Sequence, residues 1–88
     1  MPALPPEQTP LYNHPLPALE QWLRQLGARQ RGPHAVVWDL QHAGWTAEIV
    51  LESENLAVSW QGQGQGSQCR FPYGLNRADV EAAILAGP

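Results

Sequence analysis

The sequence predicts a two-layer α+β domain: a helix, an antiparallel meander of three or four strands and a second helix, in the order α-β-β-β-β-α. Three observations carry this expectation. Apolar residues recur at helical spacing over Leu19–Leu26, they alternate with polar residues over Trp45–Glu52, and a capped, alanine-rich segment closes the chain after Asn76.

Residues 1–8, MPALPPEQ, read as a flexible Pro-rich tail, and residues 9–88 as one domain. The arm that follows holds Pro10, Pro15 and Pro17, each of which fixes its own φ and pushes the residue before it toward extended backbone. Leu16 is therefore expected outside the helix, with Pro17 at the first helical position, where a missing N–H costs nothing. Leu19, Trp22, Leu23 and Leu26 make one apolar stripe, while Glu20, Gln21, Arg24 and Gln25 fill the other side. Gly27 ends the helix, which spans about residues 17–26.

Ala28–Pro33 reads as a connector, and then the period becomes two. Over Ala35–His42, Val36, Trp38 and Leu40 alternate with Val37, Asp39 and Gln41. Over Trp45–Glu52, Trp45, Ala47, Ile49 and Leu51 alternate with Thr46, Glu48, Val50 and Glu52. Over Leu56–Trp60, Leu56, Val58 and Trp60 alternate with Ala57 and Ser59. Tight turns at Ala43-Gly44 and Ser53-Glu54-Asn55 make these strands a meander with one apolar face. Gln61–Gln68, QGQGQGSQ, offers nothing to a core and reads as a flexible loop. A Gly-rich phosphate cradle would need a helix directly after it and a lysine, and neither is present. Cys69–Tyr73 is expected as a short fourth strand at an edge, because Pro72 cannot donate to a ladder. Asn76 is placed to cap the last helix, with Asp79 in its first turn and Leu75 and Val80 at the positions of a hydrophobic staple. Gly87-Pro88 ends it.

Composition narrows the function. The chain has 88 residues, a net charge of −3, five arginines and no lysine, so it lacks the basic excess of a protein that binds nucleic acid mainly through phosphates. A single cysteine excludes an intramolecular disulfide framework. No apolar run reaches membrane-spanning length and Met1–Pro10 lacks the pattern of a signal peptide, so a cytoplasmic protein without membrane insertion is the simplest reading. Glu48, Glu52 and Glu54 read as a solvated strand face and turn, since nothing signals a pocket with separated pKa values. His14, His34 and His42 lack the close spacing of metal ligands, and Cys69 alternates with core positions as a small buried apolar residue would. Neither metal, cofactor nor enzymatic activity is expected.

Two surfaces remain. Leu11, Tyr12, Asn13 and His14 either strap the arm onto the fold or, with Trp22 of the adjoining helix, form a recognition patch for a protein partner. Arg24, Arg29 and Arg31 cluster around the end of the first helix, while Arg70 and Arg77 flank the fourth strand and last helix. Were the two groups to meet, they would form a basic edge for structured RNA or a ribosomal particle. The element order is similar to that of double-stranded-RNA-binding folds, but the lysine-rich start of their second helix is missing here.

The motif TPLYNHPLPALEQWLRQLG closely resembles a family of small uncharacterised proteins of cyanobacteria with relatives in plant plastids. The resemblance continues through WTAEIVL at Trp45–Leu51 and FPYGLNRADVEAAILAGP at Phe71–Pro88. It implies an oxygenic phototroph and a cytoplasmic or stromal-side location. It brings no assigned activity and hence no catalytic residues. The expectation is a non-enzymatic interaction, accessory or assembly module, with RNA or ribosome binding as the alternative.

Overall fold

A computed structural model describes residues 5–33, 35–62 and 64–87. Residues 1–4 of the expected tail, His34, Gln63 of the expected loop and Pro88 lie outside the described residues. The predicted class and order hold. Helix α1 (Leu16–Leu26) precedes a five-stranded antiparallel meander, β1 (Arg29–Gln30), β2 (Val37–His42), β3 (Trp45–Leu51), β4 (Asn55–Gly62) and β5 (Gln65–Pro72), and α2 (Arg77–Ala86) closes it.

Alternation becomes a single buried face. Trp38, Leu40, Ala47, Ile49, Leu56, Val58, Trp60 and Phe71 all point to one side of the sheet and are buried. Leu19, Trp22 and Leu23 from α1 and Val80 and Ile84 from α2 join them in one core. Two indole N–H groups tie the layers together, while that of Trp38 is buried without a partner among the described residues. Trp22 Nε1 donates to Glu81 Oε1 at 2.8 Å, joining α1 to α2, and Trp60 Nε1 donates to the Ile84 carbonyl at 3.1 Å. Such bonds let a large apolar ring be buried without stranding its polar atom.

Helix α1 starts at Leu16, one residue earlier than expected, because the Pro15 carbonyl accepts from Ala18 and Leu19 and Pro17 falls in the first turn. Its end follows the prediction. Gly27 is left-handed at φ 100°, and bonds from Gly27 N–H to Arg24 O and Ala28 N–H to Leu23 O close the last turn.

The expected connector contains β1, whose two residues pair with Trp38 and Asp39 and are too few to show a period. The Gln/Gly segment is mostly strand. β4 and β5 pair without interruption from Asn55↔Pro72 to Gly62↔Gln65, leaving two residues for the connection, with Gly64 at φ 76°. Gly62 is required by packing: a Cβ there would lie 2.5 Å from the Gly44 carbonyl oxygen and 2.7 Å from Trp45 Cβ. Pairing along β4 overrides a composition that reads as loop.

The arm is knitted into the fold. A 3₁₀ turn, Leu11–Asn13, lies against the β5–α2 connection, with Leu11 N–H bonded to Leu75 O and Tyr12 N–H to Tyr73 O. The Tyr73 hydroxyl in turn donates to the Glu52 carbonyl, and burial with the nearby Glu52 charge raises the phenol's pKa. The capping of α2 differs from expectation. Asn76 occupies the N-cap position, but its side chain makes no capping bond. The first N–H groups of α2 are instead met by the arm: Arg77 donates to Thr9 O at 3.1 Å and Ala78 to Glu7 O at 2.8 Å. Glu7 is thus hydrogen-bonded structure, although the sequence reads it as tail. Leu75, expected in a staple, is 40% exposed.

Candidate interaction surfaces

Pro10 and Pro15 hold extended backbone at either end of the 3₁₀ turn, and that turn puts Leu11 and His14 on its inner side and Tyr12 and Asn13 on its outer side. Leu11 is fully buried and His14 is 6% exposed, with its Nδ1 donating to the Pro10 carbonyl at 3.1 Å. Trp22 is 1% exposed at the centre of the core. These three residues, assigned from sequence to a recognition patch, are therefore unavailable to a partner on the folded domain. The strap reading of Leu11 and His14 and the core reading of Trp22 fit this burial. Tyr12, at 65% exposure, and Asn13 do face solvent. Leu16 joins them at 57%, on the first turn of α1. The sequence places Leu16 just ahead of the helix, where no period states which side it faces.

The arginines do not converge. Arg29 and Arg31 lie on and beside β1, whereas Arg70 is on β5, four strand spacings or about 19 Å across the sheet. Arg24 places its guanidinium carbon 5.3 Å from the Trp38 ring centroid, a cation–π contact on the α1 side. Arg70 approaches Glu52 at 3.5 Å, and Arg77 begins α2 under the arm.

The face of the sheet away from the helices is polar toward one end and carries the half-buried Val37, Val50 and Ala57 toward the other. Asp39, Gln41, Thr46, Glu48, Ser59, Gln61 and Gln68 line a shallow open concavity at the polar end. At one side Arg31 donates from Nε and Nη2 to the Asp39 carboxylate, at 3.1 and 2.6 Å, and from Nη2 to Glu48 Oε2 at 2.9 Å. Hydrogen bonding to Arg31 holds the Asp39 carboxyl below its ordinary pKa, and the two carboxylates raise that of Arg31. Chemically the face offers hydrogen-bond donors and acceptors but no exposed ring on which a base could stack.

That depression fixes the sign of a pH effect. A folded pKa below the unfolded one gives stability that is complete above the ordinary carboxylate pKa of about 4 and lost as pH falls through the folded value. Stability is accordingly expected to fall on acidification below that range, and Asp39→Asn to flatten this limb. Urea titrations at a series of pH values check it. The effect is small, because both side chains are about half exposed and screened by water.

Among the described residues, no three His, Cys, Asp or Glu side chains come together as a metal-holding group. His42 stacks on Trp45 with ring centroids 4.7 Å apart. Cys69, expected in the core, is exposed. Its position on β5 does share the face of Val58, but the helix layer covers Phe71 and stops short of Cys69. No helix among the described residues is long and apolar enough to cross a membrane.

A family model described as a protein of unknown function (DUF3143) matches residues 26–87, which takes in the whole sheet and α2 and begins after the arm. No curated protein and no solved structure matches the chain.

Proposed function

We propose a function for this chain, which belongs to the DUF3143 family of proteins of unknown function: it is a non-enzymatic protein–protein interaction module that presents the outer side of its arm to a partner. One observation carries this reading. Tyr12 and Leu16 are 65% and 57% exposed on backbone that is already clamped, by the ladder to the β5–α2 connection on one side and by α1 on the other. Large apolar side chains on fixed backbone suit a partner's apolar groove, because little ordering entropy remains to be lost on binding. Asn13 between them supplies polar specificity. The sequence resemblance to proteins of cyanobacteria and plastids supports reading the module as an accessory or assembly factor of an oxygenic phototroph, in the cytoplasm or on the stromal side.

The test is capture from a cyanobacterial lysate with the tagged chain, with and without ribonuclease. Wild type should retain a discrete protein set that survives ribonuclease. The double variant Tyr12→Ala/Leu16→Ala should lose it by about tenfold or more while unfolding as wild type does. Equal retention by the folded double variant would remove the arm from the interface. RNA or ribosome binding is the weaker alternative, since Arg31 and Arg70 are engaged by carboxylates and Arg29 and Arg31 lie at the sheet edge opposite Arg70. Its sign would be co-purifying ribosomal proteins that ribonuclease removes.

A further inference from the structure

The two edges of the sheet are built differently. β1 is a two-residue edge, blunted by its shortness. β5 is eight residues long, pairs with β4 without a bulge, and among the described residues has no strand on its outer side. The devices that normally protect such an edge are nearly absent. The chain has no lysine, and Pro72 stands at the strand's end.

Which groups are open follows from the pairing. Gly62↔Gln65 closes a hairpin with two intervening residues and is thus a narrow, hydrogen-bonded pair. Pairs alternate from there, so the N–H and C=O groups of Gly66, Gln68 and Arg70 point away from β4. Pro72 has the same parity, and its carbonyl accepts from Leu75 N–H, which closes the edge beyond Arg70. Within β5 the helix layer covers Phe71 and stops short of Cys69, leaving Ser67, Gln68, Cys69 and Arg70 exposed.

We infer that the β5 edge pairs antiparallel with β5 of a second copy of this chain, about a two-fold axis at Gln68, to join two sheets into one. Under that axis Gln68 faces the other Gln68, and each Gly66 faces the other Arg70. This makes three narrow pairs of two hydrogen bonds each. The two arginines are held at opposite ends of the paired segment, about 13 Å apart along the strand, so like charges do not meet. Moving the axis to Cys69 would bring Pro72, which lacks an N–H, opposite Gly66 and forfeit bonds. A copy of the same strand is the fitting occupant because it is self-complementary under the two-fold and already ordered. The dimer adds polar backbone bonds and little apolar burial, so it is concentration-dependent.

Sedimentation equilibrium of the full chain over a range of concentrations tests this. A monomer–dimer equilibrium is expected, and Gln68→Pro should weaken it by about a hundredfold, as the two-fold removes a donor from both strands. The Gln68 N–H points outward, so the proline leaves the β4–β5 ladder intact, which far-UV circular dichroism checks. Independently of that variant, Ser67 and Cys69 of the two copies face each other across a pair within disulfide reach, whereas the two Cys69 residues are offset by about 7–8 Å. Mild oxidation should therefore link Ser67→Cys into covalent dimers far faster than wild type. A monomer at every concentration, a dimer that a folded Gln68→Pro leaves unchanged, or equally fast linking of wild type would each overturn the inference.

Discussion

Trp22→Ala is expected to lower the unfolding free energy by about 3–5 kcal/mol, the range for removing a buried tryptophan. The ring is 1% exposed, sits among residues of both helices and the sheet, and carries the only indole N–H shown joining α1 to α2. A domain of this size holds a net stability on the order of 5–15 kcal/mol, so the variant should lose a large fraction of it. Urea denaturation measures the loss. Two companions divide it between packing and hydrogen bonding. Trp22→Phe keeps most of the ring but removes the donor to Glu81, and should cost about 1–2 kcal/mol, since Glu81 is only partly buried and water can replace the bond. Glu81→Gln retains an acceptor and should be milder still. If Trp22→Phe proved as damaging as Trp22→Ala, the hydrogen bond and not the packing would dominate.

Leu11→Ala should cost about 2–5 kcal/mol, with a spread set by how far the arm can settle into the space left behind. The position matters beyond its own burial. Leu11 anchors the segment whose Glu7 and Thr9 carbonyls receive the first N–H groups of α2. Loosening it should accelerate amide exchange at Arg77 and Ala78 before the sheet is affected, which hydrogen-exchange measurements resolve. Tyr12→Ala, one residue away and 65% exposed, should change stability by less than about 0.5 kcal/mol. Comparable losses from the two substitutions would mean that the arm is not held through Leu11. The contrast also protects the binding test, since Tyr12→Ala must leave the fold intact for its loss of partner to be informative.

The strand with the cleanest alternation, Trp45–Leu51, emerged with the expected face buried, because a period of two states the face directly. QGQGQGSQ failed to announce itself because such patterns report apolar burial, and this stretch has no apolar residue to bury. Its strand conformation comes from a neighbour's backbone, one ladder bond after another. Cys69 failed for a related reason. Alternation gave the correct side of the sheet, but whether a helix covers that side at β5 depends on where α1 and α2 stop. At Asn76 local rules gave the right cap position and the wrong capping group.

The sequence by itself determined the helices, the meander, the side of each main strand that enters the core, and the glycine stop of α1. Those properties depend on residues within a few positions of one another, and so are written in periodicity and turn chemistry. Only the tertiary structure decided that Leu11, His14 and Trp22 are covered while Tyr12 and Leu16 are not, and that the arm's carbonyls cap a helix more than sixty residues further on. It also decided that Arg29 and Arg31 lie at one edge of the sheet and Arg70 at the other, and that one edge is blunt and the other, among the described residues, open. Burial and pairing are set by whatever arrives from elsewhere in the chain, and no local pattern records what that will be.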